Sequence, residues 1–196
     1  MINALKELKT QLKGELKLDE TTLILYSTDA SAYREKPLAV FIVEKDYYQD
    51  IKLLLDFCKA HNTFLIPRAA GTSLAGQVVG KGIVVDVSKN LNQILEINVQ
   101  EKWARVQAGV VLQQLNQYLK PYNLLFGPET STANRCCIGG MVGNNSCGLH
   151  SLVYGSARDH LLEAKVILAD GKQVLLKQYS KEEFLAKAQQ NDLEGK

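Results

Sequence analysis

The chain has 196 residues, 46% of them hydrophobic, and carries 23 lysines and arginines against 21 aspartates and glutamates. This length allows one sizeable core or two small lobes, and the composition is ordinary for a globular protein. A net charge of +2 without a basic cluster argues against nucleic-acid binding. No apolar run approaches the roughly 20 residues of a membrane span, and the N-terminus lacks the apolar core of a signal peptide.

In the first half of the chain, hydrophobic periodicity predicts an α/β arrangement. Leucines at helical spacing predict an amphipathic helix over residues 2–13 that ends at Gly14, and we assign residues 1–19 to this N-terminal segment. A polar segment at 27–33 could start a short helix. The next predicted elements are a buried strand at 39–43, a helix at 46–60 with Asp46 as N-cap candidate, and strands at 63–66 and 82–87. Strand, helix and strand with a crossover of this length indicate a parallel unit.

The second half of the chain has a more antiparallel pattern. Its predicted elements are a hairpin of strands 94–99 and 103–108, a helix at 110–119 stopped by Pro121, a hairpin of strands 164–168 and 173–176 around Asp170-Gly171, and a helix at 182–190. The sequence therefore predicts a small α/β lobe over residues 20–88 and an α+β lobe with antiparallel sheets from residue 89 to 196.

The four cysteines do not indicate a disulfide framework in a chain of this size. Cys58 falls on the apolar side of its predicted helix and is interpreted as a core residue. Cys136, Cys137 and Cys147 with His150 form a conceivable zinc set, but adjacent cysteines seldom both reach one tetrahedral ion and there is no Cys-x-x-Cys pair. We expect no metal site and a cytoplasmic location, with peripheral association with the inner membrane as an alternative.

The first loop, residues 67–76, carries the strongest functional signal. Its sequence, Pro-Arg-Ala-Ala-Gly-Thr-Ser-Leu-Ala-Gly, follows a predicted buried strand. Gly71 can adopt a positive φ at low cost, and successive backbone N–H groups in such a turn form an anion-binding nest. Thr72 and Ser73 would add hydroxyls, and Arg68 a guanidinium. The pattern favours a diphosphate ligand, although a tight turn without a ligand would explain the same residues.

The second loop, residues 127–148, is followed by Tyr154-Gly155. It combines threonine and serine hydroxyls, a Gly-Gly pair, two neighbouring asparagines and further glycines in one short span. Few purely structural purposes need so many accessible backbone groups close together, so this loop strengthens the ligand interpretation.

Together the two loops resemble the FAD-binding domain of the vanillyl-alcohol oxidase and para-cresol methylhydroxylase (PCMH) superfamily, and within it the D-lactate dehydrogenase and glycolate oxidase type of FAD-linked oxidase. The first loop is similar to that group's Pro-Arg-Gly-x-Gly-Thr-Ser-Leu-x-Gly pattern, with Ala69 where the pattern usually has glycine. The second contains Ile-Gly-Gly-x-x-x-x-Asn-x-x-Gly from Ile138 to Gly148. The resemblance covers about Tyr26 to Val174. It implies an α+β, two-subdomain fold of the PCMH type with an incomplete second lobe and FAD between the lobes.

The resemblance implies cofactor contacts from both loops. The first loop would cradle the pyrophosphate, and Thr130 to Thr132 would add donors on its other side. Gly139, Gly140 and Asn145 would lie along the ribityl chain and isoalloxazine. The full set of candidate cofactor-binding residues is Pro67, Arg68, Ala69, Ala70, Gly71, Thr72, Ser73, Leu74, Gly76, Pro128, Glu129, Thr130, Ser131, Thr132, Ile138, Gly139, Gly140, Asn144, Asn145, Gly148, Tyr154, Gly155, Val166 and Ile167.

Other polar residues near the second loop have structural interpretations. We expect His150 to cap or line the loop, since nothing near it in sequence suggests a paired carboxylate. Glu129 could contact flavin hydroxyls, and Tyr154 is interpreted as a packing residue. Arg158 and Asp159 are expected to form a local, solvated ion pair.

The resemblance also implies the mode of flavin attachment and the extent of the chain. Relatives with covalent flavin often carry a histidine where this sequence has Thr72, so we expect noncovalent FAD. The family's later Gly-Ser-Glu-Gly-Thr element and substrate domain are not found. We therefore expect an N-terminal fragment that is inactive alone, with the catalytic residues elsewhere, and an iron–sulfur domain further on is a possibility that the resemblance raises.

The function implied is that of an FAD-linked oxidoreductase acting on a 2-hydroxy acid such as D-lactate, glycolate or D-2-hydroxyglutarate. Electrons would pass from flavin to an iron–sulfur partner or a quinone. One alternative is a reductase of the same fold that takes electrons from a nicotinamide. Another is a noncatalytic interaction module in which the glycine loops serve only tight packing.

Overall fold

The computed structural model describes residues 1–195 and divides the chain into two compact units, Met1–Asp159 and the residues from His160 onward. The first unit contains α1 (Ile2–Lys9), β1 (Glu15–Lys17), α2 (Glu20–Leu25), β2 (Ala39–Ile42), α3 (Tyr48–His61), β3 (Leu65–Arg68), β4 (Ile83–Asp86), β5 (Ile94–Asn98), β6 (Trp103–Val106), α4 (Leu112–Leu119), α5 (Ile138–Gly143) and α6 (Ser151–Tyr154). The second contains β7 (Glu163–Ile167), β8 (Gln173–Lys177) and α7 (Lys181–Ala188). This mixture of helices with small sheets is α+β, as predicted.

A four-stranded sheet in the order β1-β2-β4-β3 organises residues 15–86. Strands β2, β4 and β3 are mutually parallel, and β1 adds an antiparallel edge. All four residues of β2 and all four of β4 are buried, as expected for central strands of a parallel sheet that is covered on both faces. The predicted parallel unit is confirmed.

The two faces of this sheet are covered by different elements, because alternate residues of a strand point to opposite sides. Phe41 and Val85 belong to one core cluster with leucines of α1 and apolar residues of α3. Val40 and Val84 belong to a second cluster with Leu23 of α2. The predicted core residue Cys58 lies in the first cluster with 5% of its surface exposed.

The N-terminal segment contributes a strand as well as a helix. Helix α1 ends at Lys9 rather than near residue 13, and the chain then turns at Lys13-Gly14 into β1. Asp50, which is 1% exposed at the start of α3, holds this turn by accepting hydrogen bonds from Lys13 N at 3.1 Å and Gly14 N at 2.8 Å. Residues 1–19 thus form an edge of the first sheet and part of its core.

Two local predictions were wrong. Residues 27–33 form no helix; the helix of this region is α2, which begins after Asp19, whose side chain accepts a hydrogen bond from Thr22 N. Asp46 does not cap α3, whose N-cap is Tyr47, and its carboxylate instead pairs with Lys13.

A separate core lies beneath β5, β6, α4 and α5. Its buried members include Leu112, Leu115 and Met141, and the antiparallel β5–β6 hairpin covers them. Helix α4 runs from Leu112 to Leu119 and so ends before Pro121, as predicted, and a 3-10 turn that includes Pro121 follows it.

In the second unit, β7 and β8 form an antiparallel hairpin, which confirms the strand pair predicted around Asp170-Gly171. Helix α7 begins with a capping box between Ser180 and Glu183, in which each side chain bonds the other residue's backbone N–H.

We expect Asp50→Ala to lower the free energy of unfolding by about 2–3 kcal/mol, because it leaves the buried N–H group of Gly14 and the partly buried N–H group of Lys13 without acceptors. Asp46→Ala is the matched control, since it removes only a solvent-exposed ion pair and should change stability little. Urea denaturation followed by circular dichroism measures both. Equal losses for the two variants would contradict the assignment of Asp50 as the residue that holds the turn.

Candidate functional site

The first loop leaves the sheet at the carboxyl ends of its parallel strands. In the register of the sheet, Arg68 at the end of β3 lies beside Asp86 at the end of β4. Ligands of open parallel sheets bind outside this edge, because the loops that follow the strands converge there. The location of the loop therefore agrees with its interpretation as a ligand loop.

Six consecutive backbone N–H groups, from Gly71 to Gly76, have no hydrogen-bond acceptor within residues 1–195. Unpaired N–H groups are costly when they lose contact with water, so a row of them is stable only beside solvent or an acceptor ligand. A diphosphate offers several anionic acceptor oxygens to such a row.

Gly71 has the positive φ that the sequence predicted, +66°. A Cβ atom added there would lie 2.6 Å from Arg68 Nη2. The positive φ therefore favours glycine at this position, and a larger residue would also displace the Arg68 side chain.

Residues 26–31 are hydrogen-bonded to the first loop, a contact that the sequence did not predict. Ala30 N donates to Gly71 O at 3.1 Å. Asp29 accepts hydrogen bonds from Ser73 Oγ at 2.9 Å and from Ser31 N at 2.8 Å. Burial raises the pKa of Asp29, but the hydrogen bonds from Ser31, Ser73 and Val78 outweigh it and leave the pKa below its usual value. The Ser73 hydroxyl therefore donates its hydrogen bond to the Asp29 carboxylate.

The Arg68 side chain contacts Tyr26. Its Nη1 donates to Tyr26 O at 3.3 Å, and its guanidinium carbon lies 5.2 Å from the centroid of the Tyr26 ring. Tyr26 in turn donates its hydroxyl hydrogen bond to Asp86, which is 3% exposed. Burial and the hydrogen bond to Asp86 raise the pKa of Tyr26 far above its usual value, so this hydroxyl stays protonated.

The second loop contains α5, whose first turn is held by neighbouring backbone. Ile138 N donates to Val110 O and Gly139 N to Ala108 O, each at 2.8 Å. Gly140 N has no acceptor within the described chain. Ile138 itself is 9% exposed and belongs to the core below α4, so it anchors the start of the helix.

The structure brings the two loops into contact. A Cβ atom on Gly140 would lie 3.3 Å from the Cβ of Ala69. Gln77 Nε2 donates to Asn144 Oδ1 at 2.6 Å. Burial, with smaller effects of Cys136 and Asp86, raises the pKa of Cys137 to about 11, so its thiol stays neutral beside the first loop. The two small-residue stretches, separated by some 50 residues of sequence, therefore form one surface.

Some glycines of the second loop are explained by packing alone. A Cβ on Gly139 would lie 2.6 Å from Ala108 Cβ, and one on Gly148 would overlap Glu129 O at 1.5 Å. Gly143, by contrast, has open space around its Cβ position. The noncatalytic alternative therefore explains Gly139 and Gly148, whereas the unpaired N–H groups of the first loop need either solvent or an acceptor ligand.

Some hydroxyl groups of the second loop lie within hydrogen-bonding distance of protein groups. Thr130 Oγ1 lies 3.2 Å from both Thr132 Oγ1 and Cys136 Sγ. Ser131 is exposed. The proposed role of these three residues as donors to a diphosphate stays a prediction.

Glu129 and His150 form a carboxylate–imidazole pair, with Glu129 Oε2 2.5 Å from His150 Nδ1. The expectation that His150 has no carboxylate near it was wrong, because the partner lies 21 residues away in sequence. The Tyr154 ring lies edge-on to His150, with 6.4 Å between centroids, and covers Gly127. Asp159, which we expected from the sequence to pair with Arg158, accepts hydrogen bonds from Ser156 N and Ser156 Oγ.

The remaining candidate residues differ in accessibility and location. Leu74 is 80% exposed, Pro67 is exposed, Pro128 is buried and Gly155 has a φ of +69°. Asn145 accepts a hydrogen bond from Arg158 N at 3.0 Å. Val166 and Ile167 lie on β7 in the second unit, half-buried, and their contact with a cofactor stays a prediction.

The residues present fit a dinucleotide diphosphate. The fit rests on the row of unpaired N–H groups from Gly71 to Gly76 and on the unpaired N–H of Gly140, which lies against the same loop.

Within residues 1–195 no group of three metal-ligating side chains comes together, and no helix is long and apolar enough to cross a bilayer.

Comparison with protein families matches residues 37–177 to a family described as FAD binding domain. D-2-hydroxyglutarate dehydrogenase of Pseudomonas putida KT2440 is 42% identical over 163 residues, which are 83% of this chain and 16% of that protein. Glycolate oxidase subunit GlcD of Bacillus subtilis 168 is 33% identical over 170 residues, 85% of this chain and 36% of that protein. The chain thus spans about a sixth to about a third of the length of these relatives.

Solved structures show the same fold. P-cresol methylhydroxylase with substrate bound superposes with a TM-score of 0.75 at 17% identity, over 89% of this chain and 35% of that chain. 6-Hydroxy-D-nicotine oxidase of Arthrobacter nicotinovorans gives a TM-score of 0.72 at 19% identity, over 88% of this chain and 38% of that chain. The predicted α+β fold of the PCMH type is confirmed.

Proposed function

The chain belongs to the FAD binding domain family, and from this premise we propose that its first loop holds the diphosphate of noncovalently bound FAD. The observation that carries the proposal is the row of six N–H groups, Gly71 to Gly76, without protein acceptors. These donors are already oriented by the support of residues 26–31. Binding a diphosphate therefore requires little reorganisation of the loop.

We further propose that the protein is an oxidoreductase acting on a 2-hydroxy acid. Bound FAD supplies the hydride acceptor for such a reaction, and the chain's part is to bind and orient it. The names of the relatives support this substrate class, since they include D-2-hydroxyglutarate dehydrogenase, glycolate oxidase subunit GlcD and D-lactate dehydrogenase. The resemblance of the loops also suggests a quinone or an iron–sulfur centre as electron acceptor.

We expect the purified 196-residue chain to quench the fluorescence of added FAD on titration. Gly71→Val should weaken FAD binding at least roughly tenfold, because a β-branched residue resists positive φ at a cost of about 1–3 kcal/mol. Gly143→Ala is the matched control, since its new methyl group meets no protein atom within 4 Å.

The titration also separates FAD binding from the noncatalytic alternative. Unaltered flavin fluorescence with the folded parent chain would favour an interaction module whose glycines serve packing. Equal affinity of the parent chain and Gly71→Val would mean that the diphosphate lies elsewhere.

Noncovalent attachment has its own test. Thr72 stands where some relatives carry a flavin-linked histidine, and threonine cannot form that bond. Acid precipitation of the FAD-loaded protein should therefore release all of the yellow colour into the supernatant. Colour retained in the washed precipitate would show a covalent bond and contradict this part of the proposal.

The substrate class is tested on the protein encoded by the complete reading frame. Under anaerobic conditions, D-lactate, glycolate or D-2-hydroxyglutarate should bleach the visible absorbance of its flavin, and L-lactate serves as the stereochemical control. Bleaching by NADH but by none of the acids would favour the nicotinamide-dependent reductase instead.

A further inference from the structure

The first loop meets helix α5 at two places, one on each side of its row of unpaired N–H groups. Before the row, Ala69 faces Gly140, since a Cβ atom on Gly140 would lie 3.3 Å from the Cβ of Ala69. Directly after the row, Gln77 Nε2 donates to Asn144 Oδ1 at 2.6 Å. Both contacts lie within the first compact unit of the chain.

Gly140 and Asn144 lie on the same face of α5, because residues four positions apart in a helix stand one above the other. Asn144 N donates to Gly140 O at 3.0 Å, so this turn of the helix is intact. Four residues of helix rise only about 6 Å, whereas the eight residue steps from Ala69 to Gln77 would span about 26 Å if extended. The first loop therefore forms an arch that starts and ends on one helix face and carries the unpaired N–H groups between its ends.

The two halves of this arch are held differently. Hydrogen bonds of Gly71 O and Ser73 Oγ tie the first half to residues 29–30. Residues 74–75 are exposed and make no hydrogen bond within the described chain, residues 1–195. The hydrogen bond from the Gln77 side chain connects this second half to the second loop.

We propose that Gln77 and Asn144 are positioning residues whose hydrogen bond holds the arch closed on α5, so that its N–H groups and that of Gly140 face one diphosphate. Loss of the bond leaves every backbone donor in place but lowers the fraction of molecules in which the donors converge. The apparent dissociation constant of FAD then rises by the inverse of that fraction. This inference rests on the proposed binding of FAD, and it assigns a role to a contact between the two loops.

The test is a double-mutant cycle of FAD affinity, measured by fluorescence titration of the 196-residue chain. Gln77→Ala and Asn144→Ala should each weaken FAD binding about three- to tenfold, the range of a single neutral hydrogen bond. The double variant should bind no more weakly than the weaker single variant, because both substitutions remove the same bond. Gln117→Ala, at an exposed position of α4 outside both loops, is the matched control and should keep the parent's affinity.

The lengths of the two side chains allow a rescue. Gln77→Asn shortens one side chain by a methylene group, and Asn144→Gln lengthens the other by the same amount. The exchanged pair keeps a neutral amide donor and acceptor across the same gap, so this double variant should bind FAD within about twofold of the parent. Gln77→Asn alone should bind as weakly as Gln77→Ala. An exchanged pair that binds no better than Gln77→Asn would overturn the proposal.

Stopped-flow kinetics separates positioning from direct contact. In Gln77→Ala the association rate constant should fall by the same factor as the affinity, because fewer molecules have the binding-competent arch, and the dissociation rate constant should stay near the parent's. A side chain that touched the cofactor would instead leave association unchanged and speed dissociation. That result, additive losses in the cycle, or unchanged affinity of Gln77→Ala would each contradict the positioning role.

Thermal melting without FAD verifies that the variants are folded, and if Gln77→Ala is not, the exchanged pair decides. Results that contradict the positioning role leave the proposed function intact as long as the parent chain binds FAD. A parent chain that binds no FAD would overturn both.

Discussion

The parallel pairing of β3 with β4 is the constraint on which the site depends. Their register sets Arg68 beside Asp86, at the edge of the sheet from which the first loop departs. The pairing is stabilised by the burial of Ile83, Val84 and Val85 of β4 in apolar clusters on the two faces of the sheet. A slip of one residue would turn these side chains to the opposite face, so the core fixes the position of the charged residues as well.

The two loops contribute differently to the surface that they form: the second loop supplies close packing, and the first supplies most of the unpaired hydrogen-bond donors. Glycines of the second loop, such as Gly139 and Gly148, allow backbone segments to approach closely and so place α5 against the first loop. The first loop has a different character. Its N–H groups from Gly71 to Gly76 have no acceptors within residues 1–195, while the Gly71 carbonyl and the Ser73 hydroxyl are hydrogen-bonded to residues 29–30. One loop provides the shape of the site and the other provides most of its unpaired donors.

A rigid support under a donor loop has a physical advantage for binding a flexible dinucleotide. Ordering a loop at the moment of binding costs conformational entropy, and the cost is smaller when the loop is already held in place. The segment 26–31 holds it through Tyr26 O, Ala30 N and the Asp29 carboxylate. These contacts join residues 41 to 44 positions apart, so they depend on the assembled sheet.

The sequence by itself determined the parallel unit, both hairpins, the positive φ of Gly71 and the family of the fold, because each follows from local periodicity, turn chemistry or a contiguous motif. It did not determine the partners of Arg68, the pairing of Glu129 with His150, or the helix before residue 26. Those depend on which distant residues the sheet brings together. Tyr26 and Asp86, 60 positions apart, meet only once β2 and β4 are paired, and no pattern within a single segment records that contact.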